Sequence, residues 1–123
     1  MTRAKTALSW MLQIPLAAMF FYAGSQKLMN DPMMVQFFGS IGFGQWFRYF
    51  TGTIEVISAA GLLVPRLAPL AALLLMAVMV GAVTAHLVVG GSPMVPIVLF
   101  FALGAVVYLR RHQLELPVIA RLR

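Results

Sequence analysis

Trp46–Val64 reads WFRYFTGTIEVISAAGLLV, an apolar stretch in which Glu55 is the one acid. Its length matches the roughly 20 helical residues needed to cross a hydrocarbon core of about 30 Å. A charged side chain at that depth costs about 2.5–3.5 kcal/mol on insertion scales. It is tolerated where it faces other helices, finds a partner or carries a proton. Glu55 therefore calls for a bundle of helices around it, and the rest of the chain has the segments to build one.

Three more stretches reach spanning length, at about 8–28, 67–89 and 93–109, flanking a span at about 46–64. The breaks between them have local causes. Asn30-Asp31-Pro32 ends the first, because a residue before proline is pushed out of the α region. Pro65-Arg66 makes a tight turn. Gly90-Gly91-Ser92-Pro93 ends the third and opens the fourth. Pro15 lies within the first span, a position that favours a kink. The run from Ala7 to Tyr22 follows a basic start but has no small-residue cleavage site with a polar sequel, so it reads as a retained first span rather than a signal peptide. Composition agrees with a membrane protein. Of 123 residues, 62% are hydrophobic and 10% charged, against about 45–50% and about 25% in an ordinary soluble domain. The expected fold is all-α: a single-domain (1–123) polytopic membrane protein, a four-helix transmembrane bundle with a short amphipathic helix in the loop between spans one and two. That loop, Met29–Gln45, carries Met33-Met34-Val35-Gln36-Phe37-Phe38 and then glycines 39, 42 and 44.

The net charge of +6 does not point to nucleic acid. Arg3, Lys5, Arg66, Arg110, Arg111, Arg121 and Arg123 fall on one side of the expected topology, and Lys27 and Arg48 on the other. This is the asymmetry that places both termini in the cytoplasm. The tail 112–123 alternates basic and apolar residues and is expected to lie on the cytoplasmic membrane surface. With no cysteine, the chain forms no disulfide and runs no dithiol relay of its own.

Alternating spans bring three ionisable groups to the outer half of the bundle. Lys27 ends span one. Glu55 lies about 10–13 Å inside the outer end of span two. His86 lies about one turn inside the end of span three. Lys and Glu stabilise each other's charge in such surroundings, and a nearby imidazole suits proton relay. Tyr22, Gln26, Ser58 and Thr84 share the zone as candidate ligand-binding residues. Plainer roles stand beside these. Lys27 at a helix end can snorkel to headgroups, His86 can bond a backbone carbonyl, and a Glu–Lys pair can simply set helix register. Met29, Met33 and Met34 form no Met-x-x-Met array, so their thioethers read as apolar packing rather than a copper site; no metal is expected. Phe37, Phe38, Phe43, Trp46, Phe47, Tyr49 and Phe50 read first as an interfacial belt and, as the alternative, as the wall of a quinone or lipid pocket.

The order Gly24-Ser-Gln-Lys27-Leu28, Gly52-Thr-Ile-Glu55, Gly61-Leu-Leu-Val-Pro-Arg66, Ala85-His86-Leu87 resembles the DoxX family of small bacterial and archaeal four-helix membrane proteins, from about Leu8 to Arg111. The resemblance implies that Lys27, Glu55 and His86 fall on the family's recurring polar positions. It implies a cell inner-membrane protein associated with quinol or sulfur redox partners. The leading expectation is then a redox-associated subunit of an oxidoreductase, with no covalently bound cofactor, that binds quinone or anchors its partner. Lys27 and His86 would hydrogen-bond the quinone oxygens and Glu55 would handle the proton. The alternatives are a lipid- or sterol-like-ligand binding protein or isomerase using Glu55 as acid and base, and a purely structural subunit. Whether the chain is an enzyme stays open. Expected partners are membrane lipid and either another protein or a second copy of the chain. Small multidrug exporters of this size carry their intramembrane Glu in the first span, which here has no acid.

Overall fold

The computed structural model describes residues 2–122, with side chains described through Leu114. Five helices follow in the order α1 (Arg3–Leu28), α2 (Pro32–Ile41), α3 (Gln45–Leu62), α4 (Ala68–Val89) and α5 (Met94–Leu122). The four longer helices alternate in direction and pack as a ring, α1 on α3, α3 on α4, α4 on α5 and α5 back on α1. The near end of the ring holds the starts of α1 and α4. The far end holds the end of α1, and α2 packs there against α1, α3 and α4.

Helix limits follow from local chemistry. The Thr2 hydroxyl caps α1 by accepting from Lys5 N at 3.2 Å. At the other end Asn30 adopts a left-handed φ of 61°, a conformation that asparagine tolerates and that stops a helix. Asp31 then caps α2 through Met34 N at 3.4 Å, with Pro32 in the first turn. Gly42 and Gly44, with φ of 92° and 96°, turn the chain from α2 into α3. Pro15 sits inside α1 without ending it.

Among the described residues, three helices are long and apolar enough to cross a membrane: α1, α4 and, within α5, Met94–Leu114. α3 is not among them. Its eighteen residues include Arg48, Glu55 and the hydroxyls of Thr51, Thr53 and Ser58, which dilute its apolarity. Yet α3 buries Arg48, Glu55 and Ser58 among its neighbours, so its charged groups and Ser58 face the bundle, while Thr53 lies on the outer face and donates to Tyr49 O. The outward faces are apolar: Met11, Ile57, Leu70, Leu87, Val98 and Phe101 are all exposed. That is the inverse of a water-soluble surface and suits lipid contact.

The helix expected at 93–109 differs from the one observed. α5 continues to Leu122, because no glycine or asparagine cap follows Leu109 and Arg110–Leu114 are good helix formers. The proposed surface contact of the 112–123 tail depends on side chains from Glu115 onward and lies outside the described residues.

The core between the helices contains Leu16, Phe20, Leu62, Leu75, Leu103 and Val106. α1 and α3 approach each other closely. A Cβ on Gly52 would lie 2.9 Å from Lys27 Cβ and 3.0 Å from Gly24 O; one on Gly24 would lie 2.8 Å from Gly52 O. Two glycines facing each other let the backbones touch. Gly52→Ala is expected to lower stability by about 1–3 kcal/mol through overpacking. Gly81→Ala, where nothing lies within 4 Å of the new methyl, should not. Unfolding midpoints of the two variants in detergent check the contrast.

Candidate functional site

The glycine contact sets α1 against α3 one turn from the far end, and it brings Lys27 opposite Glu55. Lys27 Nζ lies 3.0 Å from Glu55 Oε1 and 3.2 Å from Oε2. The side chains are 14% and 2% exposed, so this is a buried pair held between two helices. In such a pair each charge offsets part of the hydration that the other has lost.

Lys27 is itself held from behind. Arg48, buried on α3, donates through Nη1 to the Lys27 carbonyl and through Nη2 to Asn30 Oδ1 at 2.8 Å, while its Nε donates to Gln45 Oε1 at 2.7 Å. The carbonyl of Lys27 is one of the last four of α1, which have no partner within their own helix. Tyr49 OH donates to the same Asn30 oxygen at 2.7 Å, and the Arg48 guanidinium lies 4.3 Å from the centre of the Tyr49 ring. Arg48 thus ties the end of α1 to α3 and fixes the main chain from which Lys27 extends. Its place near a predicted span end reads in sequence as an ordinary interfacial base. The signal of its role is the neighbouring Asn30-Asp31-Pro32 break, which leaves carbonyls needing donors.

Beside the pair opens a cavity of about 860 Å³ bounded by all five helices. Its walls are mainly aliphatic and aromatic, with Phe20 from α1, Phe37 and Phe38 from α2, Phe47 and Phe50 from α3, and Leu99 from α5. Lys27, Glu55 and His86 are its ionisable groups. His86 does not touch the pair. Its Nδ1 lies 2.8 Å from Ala82 O, and its ring packs on Phe37 with centres 5.0 Å apart. A carbonyl only accepts, so Nδ1 carries hydrogen and, in the neutral ring, Nε2 is left as an acceptor.

The structure therefore brings Lys27, Glu55 and His86 to one cavity and leaves the four other candidates outside its lining. Helical periodicity explains the division. On α1 the lining residues are Phe20, Ala23 and Lys27, and on α4 they include two neighbouring rows, Ala77, Gly81, Ala85 and Val78, Ala82, His86, each of positions three to four apart. Tyr22, 69% exposed, and half-buried Gln26 lie off the α1 stripe. Thr84 lies off the α4 stripe, exposed, and donates to Val80 O at 2.9 Å. Ser58 is buried one turn deeper than Glu55, while the cavity extends from Glu55 the other way, through Ile54, Thr51 and Phe50 toward α2. Of the aromatic stretch, Phe37, Phe38, Phe47 and Phe50 face the cavity, whereas Phe43, Trp46 and Tyr49 are exposed outside it.

Comparison with known proteins agrees with the family resemblance. The DoxX-like family matches residues 11–111, and the chain belongs to that family. No curated protein and no solved structure matches it.

The ion pair makes a specific prediction. Lys27→Met and Glu55→Leu should each destabilise by about 3–5 kcal/mol, since each strands a buried charge. The double variant should recover most of that loss, and a double-mutant cycle on unfolding midpoints reads the coupling directly. Simple additivity of the two losses would mean that the pair is not coupled.

Proposed function

We propose that this DoxX-like family protein spans the bacterial or archaeal inner membrane and holds a quinone in the cavity headed by Lys27, Glu55 and His86, as the membrane subunit of a redox partnership. The observation that carries this reading is the polarity of the cavity. A large apolar volume has its ionisable groups in Lys27, Glu55 and His86. Ligand sites commonly combine such a wall with a few placed polar groups. An isoprenoid quinone has a matching form, a long apolar tail and a ring bearing two oxygens.

Each residue has a distinct chemical task in this reading. Lys27, an ammonium with hydrogens to spare beyond those facing Glu55, donates to a ring carbonyl oxygen. Neutral His86 offers Nε2 as an acceptor and so matches a ring hydroxyl, the reduced form of the same head. Glu55 balances the Lys27 charge and takes or returns a proton at its carboxylate. A bound quinone supplies two-electron, two-proton chemistry. Since the chain has no cysteine, the electrons are assigned to a protein partner. The aromatic side chains of α2 cover the apolar body of the ligand and keep water from the pair.

In membrane terms, α3 serves as the fourth span, with its charged residues Arg48 and Glu55 buried against the neighbouring helices. The near end, with Arg3, Lys5, Arg66, Arg110 and Arg111, faces the cytoplasm. α2 caps the outer end. The same cavity favours a second reading, a lipid- or sterol-like ligand with Glu55 as acid and base, because its wall is apolar over most of its extent.

Binding of a short-chain ubiquinone or menaquinone to the purified protein in nanodiscs separates these. The quinone reading expects saturable binding, weakened about tenfold or more in Lys27→Met, where a donor worth at least 1.4 kcal/mol is lost, and unchanged in Thr84→Val. If no quinone binds and a neutral sterol or lipid lacking a quinone ring does, the second reading replaces it. If neither binds, the pair is left with a structural role.

A further inference from the structure

The near end of the bundle has a polar cluster of its own, remote from Lys27 and Glu55. Arg110 is only 5% exposed, yet its described partners are neutral. Its Nε donates to Ser9 Oγ at 3.1 Å and Gln13 Oε1 at 3.0 Å, and its Nη2, also buried, has no hydrogen-bond partner among the described residues. Lys27–Glu55 is the one ion pair among the described residues. A guanidinium keeps its charge, so Arg110 places a positive charge inside the bundle with no described carboxylate against it. Of the three acids in the chain, Asp31 and Glu55 belong to the far half; the side chain of Glu115 lies outside the described residues.

At the same end of the bundle a groove of about 160 Å³ is lined by Lys5 of α1 and by Tyr108, Leu109, Arg111 and His112 of α5, with Arg110 outside its lining. Lys5 stands one turn before Ser9, and Leu109 and Arg111 flank Arg110 in α5. Arg111 is already oriented: its Nη1 donates to Tyr108 O at 2.8 Å, and its guanidinium lies 4.2 Å from the centre of the Tyr108 ring.

We propose that this groove binds the phosphate of an anionic phospholipid headgroup, with Lys5 and Arg111 as the contacting cations and the buried charge of Arg110 adding to the positive field at this end of the bundle. The chemistry matches on three counts. A phosphodiester offers oxygens in the geometry that a guanidinium fork recognises. Charges count for more beside the low-dielectric bundle than in open water. Tyr108 and Leu109 provide apolar contact where the headgroup gives way to acyl chains. The groove has the volume of a small headgroup. Free phosphate shares the recognition chemistry, so the test separates it from lipid.

The experiment uses the full chain in neutral detergent and in phosphatidylcholine nanodiscs. Phosphatidylglycerol and inorganic phosphate serve as parallel probes. The readouts are retained lipid by native mass spectrometry and the shift in melting temperature. Wild type should retain phosphatidylglycerol in preference to phosphatidylcholine and melt several degrees higher with it. Lys5→Gln with Arg111→Gln should lose about tenfold or more of that retention, as expected for two bases at a membrane surface. Arg3→Gln with Arg66→Gln removes equal charge from the same end and should keep it. Equal loss in both pairs would mean diffuse attraction and overturn the site, as would retention with no preference for the anionic lipid. A shift with inorganic phosphate to which phosphatidylglycerol adds nothing would replace the lipid by free phosphate.

Discussion

The contact of Gly24 with Gly52 governs the far half of the molecule. Only when two helices lack side chains at their crossing can their backbones come this close, and only then does a lysine at the end of α1 reach a carboxylate deep on α3. The pair and the crossing support each other. Close packing excludes water from Glu55, and the ion pair offsets part of the cost of that exclusion. Arg48 completes the arrangement by satisfying the open end of α1. Lys27 is thereby fixed along both its main chain and its side chain.

The two ends of the bundle solve the problem of buried charge differently. At the far end a cation and an anion meet, and a cavity opens beside them. At the near end, Arg110 is held by neutral groups, and Gln13 passes the network on by donating to the Leu62 carbonyl at 2.6 Å. That bond satisfies a carbonyl at the end of α3 and ties three helices together where the α3–α4 turn begins. Each polar network thus does for a helix end what a cap does in water, and between them the interior is apolar save for the buried hydroxyl of Ser58.

Much of this was legible in residue order. Asn30-Asp31-Pro32 and Gly90-Gly91-Ser92-Pro93 mark chain reversals through conformational limits that act within a few residues, so the helix breaks there fell where expected. The singular acid in Trp46–Val64 marked Glu55, and the alternation of spans placed Lys27 and His86 near it. Less could be read where several explanations fit one pattern. Tyr22, Gln26 and Thr84 stand at the right depth, but depth follows from counting residues along a helix, whereas orientation depends on how the helix is rotated against its neighbours. Arg48 and Arg110 looked like interfacial bases because their partners, a main-chain carbonyl and the side chains of Ser9 and Gln13, leave no charge pattern in the sequence.

What the sequence by itself determined is the class of the molecule: apolar helices, their breaks, the family, and the few ionisable residues whose burial requires explanation. These depend on composition and on interactions between near neighbours. The tertiary structure decided which of those residues meet. It joined Lys27 to Glu55, kept His86 apart on the same cavity wall, turned Phe37 and Phe38 inward, and buried Arg110 beside Ser9 and Gln13. Those outcomes depend on helix rotation and crossing distance, which are set by packing of side chains from different helices and are not encoded in any one segment.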